Sequence, residues 1–300
     1  MSAHGPGTAW VSAHLFCHTS LDGLLTDAVR PTVLELTESG AVAGFFFLRY
    51  WDGGPHVRLR LLARDPAGQW LARRCVRERC GSYLRAHLAA EPLDVAGYAE
   101  GAGQMAQLEG VESYHRVPLP DGSLRFIPYQ RDYGRYGGDT VMTAVERHFM
   151  DASRIALSLV AATDRARRVT AAFCMTVLAA MADRESAGNG WSGAPGPVPE
   201  QWHGHYESQR ARLAALVDRC RAAAGQADSK PGSLAAWHRA VTSLRAHLDG
   251  IGPAANPGVL GHCTHLMCNR LGVPLSEEAL LHYLAARALT DAREPIGAPE

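Results

Sequence analysis

Lysine is almost missing from this 300-residue chain: Lys230 is the only one, so arginine carries nearly all of the positive charge. That usage suits a GC-rich, alanine-rich coding style and carries no functional message. Lysine plus arginine balance aspartate plus glutamate at 30 each, so no net field favours a nucleic-acid backbone or an anionic membrane. Direct nucleic-acid binding is therefore not expected. No apolar run approaches the roughly 18 to 20 residues that span a bilayer, and no basic-plus-apolar signal opens the chain. The seven cysteines, Cys17, Cys75, Cys80, Cys174, Cys220, Cys263 and Cys268, are odd in number and lack a framework spacing. Reduced thiols in a cytoplasmic protein are the expectation. A P-loop, a dinucleotide fingerprint, GxSxG, HExxH and CxxC are all lacking, which removes the common phosphate, cofactor, serine-nucleophile and zinc signatures. No cofactor is expected.

What is present is an ordinary globular composition, 47% hydrophobic, with a distinctive stretch from Gly44 to Arg64. Three aromatics and Leu48 favour a strand, Trp51 to Pro55 supplies a turn, and an alternating run follows. Side chains on a strand alternate between faces. Val57, Leu59 and Leu61 thus share one face, and His56, Arg58 and Arg60 the other. This pattern admits two readings: an antiparallel sheet with a solvated outer face, or a carboxylate-binding surface.

Around this hairpin, Thr8–Cys17 reads as a first strand and Ser20 to Asp22 as a helix start. Gln69–Ala90 reads as an amphipathic helix packing on the sheet. Glu91–Gly110 is small-residue-rich and weakly periodic. Glu112–Pro118 and Ser123–Tyr129 suggest a second strand pair about Pro120 to Gly122, leading into the loop Tyr129–Gly138 with three tyrosines, two arginines and three glycines. Helices are expected over Thr140–Ala162, Arg165–Ala182, Glu200–Ala224, Ser233–Gly250, Val259–Leu271 and Ser276–Asp291. A glycine- and proline-rich connector lies between Ser186 and Pro199, and a break between Gly252 and Gly258. The expected class is α+β: an antiparallel β-sheet in the N-terminal half packed with a helix-rich C-terminal half, as one domain over residues 1–300. A division near Thr140 is the alternative.

Three clusters carry chemistry. The first is His56, Arg58 and Arg60; the second is Asp132 and Arg135 with Tyr136 and its neighbouring tyrosines; the third is His265, Asn269 and Arg270. Arginine forks bind carboxylates bidentately, and a histidine beside an acid supplies proton transfer. Converging, these clusters would form a pocket for an acidic group and its elimination or transfer. His262, Cys263, His265 and Cys268 do not face one point on a helix, so no metal site is expected.

Taken together, FFFLRYWDGGPHVRLRL, YQRDYGRYGG, MTAVERHFMDASRIAL and HLMCNRLGV resemble the carboxy-terminal domain of class I lantibiotic dehydratases, over roughly Trp10 to Leu284. That domain also occurs as a free-standing protein in thiopeptide biosynthesis. The resemblance implies removal of glutamate from glutamylated serine or threonine of a precursor peptide, leaving dehydroalanine or dehydrobutyrine. Arg58 and Arg60 match the family's paired arginines, Arg135 the arginine before Tyr-Gly-Gly, and His265 the histidine before Asn-Arg. Asp132 stands where the family usually has glutamate, its carboxylate withdrawn by about one methylene. In this reading His265, Arg58, Arg135 and Asp132 are catalytic, while Arg60, His56, Tyr136, Asn269 and Arg270 bind substrate. The implied partners are a precursor peptide with its leader and a separate glutamyl-tRNA-dependent glutamylating protein. The same resemblance leaves two alternatives: a pyridine synthase joining two dehydroalanines with loss of the leader, and a non-catalytic peptide-binding scaffold.

Overall fold

The computed structural model describes residues 9–183, 198–227, 231–252 and 258–292. The chain divides into two compact units, Met1–Arg131 and Asp132–Glu300. The class is α+β, with the sheet in the first unit and helices alone among the described residues of the second. No helix of the described residues is long and apolar enough to cross a membrane.

In the first unit β1 (Ala9–Phe16) leads to α1 (Leu21–Gly23), whose N-cap Ser20 accepts a hydrogen bond from the Gly23 amide. A π-helical segment, Leu24–Val29, then runs into α2 (Arg30–Glu38). Pro31 sits in the first turn of α2, where its missing N–H is accommodated directly after the widened π turns. The hairpin follows as β2 (Val42–Tyr50) and β3 (His56–Ala63). Gly53 and Gly54 turn it at φ of 83° and 100°, values that L side chains rarely adopt. Beyond it lie α3 (Pro66–Cys75), a second π segment (Val76–Cys80), α4 (Gly81–Ala86), α5 (Val95–Glu109) and β4 (Leu124–Phe126).

The sheet is antiparallel with order β2-β3-β1-β4, so β3 is flanked on both sides. Arg58 lies opposite His14 on β1 and Leu48 on β2, and Arg60 opposite Ser12 and Phe46. Val57, Leu59 and Leu61 are fully buried with Val11, Ala13, Leu15 and Phe47 on the opposite face, where α2 and α3 pack. Arg49 ties that face to the helices through Asp22 at 2.6 Å.

Two expectations fail here. Much of the weakly periodic Glu91–Gly110 stretch is the helix α5. Asp94 caps it through the amides of Ala96 and Gly97, and Gly110 ends it at φ of 66°. Gly97, Gly101 and Gly103 dilute its propensity, and these caps together with tertiary contacts override that weakness. The second strand pair does not form either: Glu112–Pro118 is not a strand, and β4 pairs with β1 through Ala13 opposite Phe126. Amides of this segment and of the residue after it go to the hairpin turn instead, His115 N to Asp52 at 2.8 Å and Leu119 N to Gly53 O at 2.8 Å.

The second unit comprises α6 (Tyr133–Tyr136), α7 (Asp139–Ala162), α8 (Arg165–Ala182), α9 (Glu200–Gly225), α10 (Ser233–Ile251), α11 (Val259–Leu271) and α12 (Leu275–Asp291). The expected Tyr129–Gly138 loop therefore contains one helical turn. Nearly all of the Ser186–Pro199 connector, and residues 253–257 of the later break, lie outside the described residues. Helix α7 packs against α10 and α11, and α8 against α10 and α12. Trp237 of α10 is fully buried, its indole donating to Met175 O of α8 at 2.9 Å.

His148 of α7 donates from Nδ1 to Ala240 O at 3.2 Å, and burial pushes it down to about 4. An unfolded chain therefore takes up this proton before the folded one does. The stability this group contributes is fully present above its ordinary value of 6.5 and is lost as pH falls towards 4, at up to about 1.4 kcal/mol per pH unit. Thermal unfolding followed between pH 7 and pH 4.5 should show a falling midpoint, and His148→Gln should make that fall shallower. An unchanged slope in the variant would refute this assignment.

Candidate active site

In the first unit the period of β3 brings His56, Arg58 and Arg60 onto one face, as the alternation predicts, but this face is not a solvated one. His56 is fully buried and Arg60 is 7% exposed. The Nδ1–H of His56 donates to Gly54 O at 3.0 Å, leaving Nε2 to accept from Arg58 Nε at 3.3 Å. Burial holds the imidazole at about 4, so His56 is neutral near pH 7 and acts as an acceptor that aims Arg58. The Arg58 guanidinium also lies 3.3 Å from the centroid of the Tyr50 ring. Glu109 accepts from Tyr50 Oη at 2.7 Å and Trp51 Nε1 at 2.9 Å, so α5 braces the aromatic platform beneath Arg58.

Arg60 is held between the rings of Tyr129 and Phe46, 5.4 and 5.9 Å from their centroids. Its Nε and Nη1 are buried and have no hydrogen-bond partner among the described residues. Burial, and secondarily the charge of Arg58, lowers this guanidinium to about 9, which still leaves it protonated at neutral pH. Beside it stands His14, 8% exposed and stacked on His56 with ring centroids 5.1 Å apart. Burial, then Arg60 and Arg58, push His14 down to about 2. The face thus presents two cations and two neutral imidazoles. Such an arrangement is chemically suited to an anion, because a buried guanidinium without a counter-charge is costly.

In the second unit Asp132 caps α6, its Oδ1 accepting from the Arg135 amide at 3.0 Å and its Oδ2 lying 3.4 Å from Arg135 Nε. Arg135 Nη1 in turn donates to His262 Nε2 at 3.3 Å. His262 is kept neutral, at about 3, by burial and then by Arg135. Its ring centroid lies 5.5 Å from those of both His265 and Tyr136. His262 therefore links Asp132, Arg135, Tyr136 and His265, four of the sequence-predicted residues. Tyr136 is buried, and burial raises its hydroxyl well above the usual range. Asn269 lies one turn beyond His265 on α11. Arg270 is fully buried, donates from Nε to Ser153 Oγ at 3.1 Å and covers the Phe149 ring, and from there its charge acts on both His262 and Tyr136.

Sequence reasoning missed His14 and Glu278. His14 shares the period-two register of Ser12 and the arginines, a signal available in β1 once its pairing with β3 is known. Glu278 of α12 accepts from His265 Nδ1 at 2.8 Å, and its other oxygen lies 3.5 Å from His282 Nε2. The spacing of Glu278 and His282, four residues apart on one helix, was the only local hint. Cys268, Glu278 and His282 also place one donor atom each within 4.8 Å of one another, a set different from the four residues weighed on sequence. Burial first, and then Glu278, push the Cys268 thiol well above its ordinary range, which opposes metal binding through sulfur. A cavity of about 640 Å³ lined in part by Arg167, Arg212, Arg219 and Cys174 contains neither Arg135 nor His265 in its lining.

The family described as lantibiotic biosynthesis dehydratase C-term matches residues 10–289. The chain belongs to this family. Its fold is similar to that of a pyridine synthase, TbtD, from thiomuracin biosynthesis: TM-score 0.73 and 19% identity, covering 94% of this chain and 98% of TbtD. TsrL is similar at TM-score 0.63 and 16% identity, with 95% of each chain covered. The tRNA-dependent lantibiotic dehydratase MibB from Microbispora sp. 107891 matches at TM-score 0.56 and 20% identity, over 98% of this chain but 29% of MibB. At such identities these likenesses establish a shared fold. No curated protein sequence matches the chain.

Within this family member, Arg60→Met should remove an unpaired buried charge while keeping apolar volume. Folding stability is expected to stay level or rise, by up to about 4 kcal/mol. Thermal unfolding of the variant beside the wild type checks this; a clear loss of stability would show that Arg60 is structural.

Proposed function

We propose that the chain eliminates glutamate from glutamylated serine or threonine of a precursor peptide. The observation that carries this reading is Arg60, a buried guanidinium with two nitrogens, Nε and Nη1, that lack a hydrogen-bond partner among the described residues, beside a second arginine. A departing glutamate is an anion with more than one carboxylate, which suits a paired-arginine surface. In the reaction the Cα proton is removed, its electron pair forms the Cα=Cβ bond, and the Cβ–O bond breaks to release glutamate. His265 is assigned to proton transfer, Arg58 and Arg60 to the glutamate carboxylates, and Arg135 to developing negative charge. Asp132 positions Arg135 through the hydrogen bond and ion pair described above. Dehydroalanine or dehydrobutyrine is the product. A separate glutamylating protein and a leader-bearing peptide are the partners this reading requires.

The second reading is a pyridine synthase that joins two dehydroalanines by formal [4+2] cyclisation and expels the leader. Its support is the near-complete mutual coverage with TbtD, set against the 29% coverage of MibB. Purified protein incubated separately with a glutamylated and a dehydrated peptide, then analysed by mass spectrometry, separates the two. Loss of glutamate from the first is expected; leader release from the second, with the first unchanged, would overturn elimination in favour of cyclisation. Arg60→Ala and His265→Ala are each expected to lower kcat/KM for elimination by about 10²- to 10³-fold.

A further inference from the structure

We infer that Glu278 is the positioning residue of His265: it accepts the Nδ1–H of the imidazole and so presents Nε2 as the atom that exchanges protons. The role rests on the elimination reading, but the geometry behind it does not. Glu278 is 4% exposed and sits in the first turn of α12, where the amide end of the helix favours a carboxylate. Adjacent Glu277 turns outward to Arg165 at 2.7 Å. Glu278 turns inward, and its ion-pair partners among the described residues are the imidazoles of His265, at 2.8 Å, and His282, at 3.5 Å.

An ionised carboxylate has only acceptor sites, so a 2.8 Å contact requires the proton on Nδ1 of His265. The neutral ring then carries its lone pair on Nε2. The His265 side chain is 31% exposed while that of its partner is 6% exposed, so the ring is partly open and the orienting group is shielded. Buried in this way, the carboxylate limits ring rotation and stabilises the imidazolium that forms when Nε2 takes a proton. His282 lies four residues further on α12, on the same face as Glu278, and approaches its second oxygen. Cys268 and His262 complete the titratable groups around this dyad on α11. Arg135 reaches it from α6 through His262.

The deciding experiment has two arms on the full chain. Nitrogen-15 NMR of the imidazoles reports the His265 tautomer without any substrate. The wild type is expected to show Nδ1–H, and Glu278→Gln, an isosteric change, to shift the population towards Nε2–H. In the second arm, elimination kinetics should show kcat lowered on the order of 10²-fold in Glu278→Gln with KM nearly unchanged, and partial recovery in Glu278→Asp. An Nε2–H tautomer in the wild type would overturn the inference even if the variants fail to fold. So would a Glu278→Gln variant with wild-type kcat, or Zn²⁺ binding at Cys268, Glu278 and His282 that takes the carboxylate from His265. An Nδ1–H signal together with no glutamate loss from a glutamylated peptide would instead refute the elimination reading and leave the orientation of His265 standing.

Discussion

The first unit depends on the two-residue period of a strand flanked on both sides. With partners on either edge, the backbone of β3 is fixed and neither face can turn away. The aliphatic face is committed to α2 and α3, so His56, Arg58 and Arg60 must occupy the other. Burial then decides their chemistry. Both imidazoles on this face are driven neutral, while the guanidiniums, with far higher intrinsic basicity, keep their protons. The result is a cationic surface made of arginine alone, ordered by a histidine acceptor and aromatic rings. A lysine in place of Arg60 would lose its proton more readily under the same desolvation and could not present a planar fork.

Histidine takes opposite parts in the two units. His56 uses Nε2 to accept from Arg58 and is thereby spent as a proton-transfer group. His265 uses Nδ1 towards Glu278 and leaves its other nitrogen uncommitted by that bond. His262, between Arg135 and His265, repeats the acceptor role of His56. The difference follows from what lies beside each ring: guanidiniums call for an acceptor, a carboxylate calls for a donor.

Local signals were strong where the chain's own periodicity matched its final environment. The hairpin, α7, α8, α11 and the two-faced character of β3 were all legible because period and propensity agree there. The second strand pair was misread because turn residues and β-branched neighbours are shared by strands and by extended segments. The distinction lay in distant acceptors, Asp52 and Gly53, that captured the amides of His115 and Leu119. Helix α5 was missed because its glycines weaken the helical signal, yet its Glu109 anchors the platform under Arg58.

By itself the sequence determined the α+β class, the faces of β3 and the residue types able to bind an anion, which follow from spacing and composition, and its motifs carried the resemblance to the family. Only the tertiary structure decided which polar groups are buried, and therefore which are charged. It turned Arg270 into a core residue bonded to Ser153, brought His14 beside Arg58 and Arg60, and set Glu278 against His265. Burial and contacts between residues far apart in the chain have no local sequence signature, because they are properties of the neighbours that folding supplies.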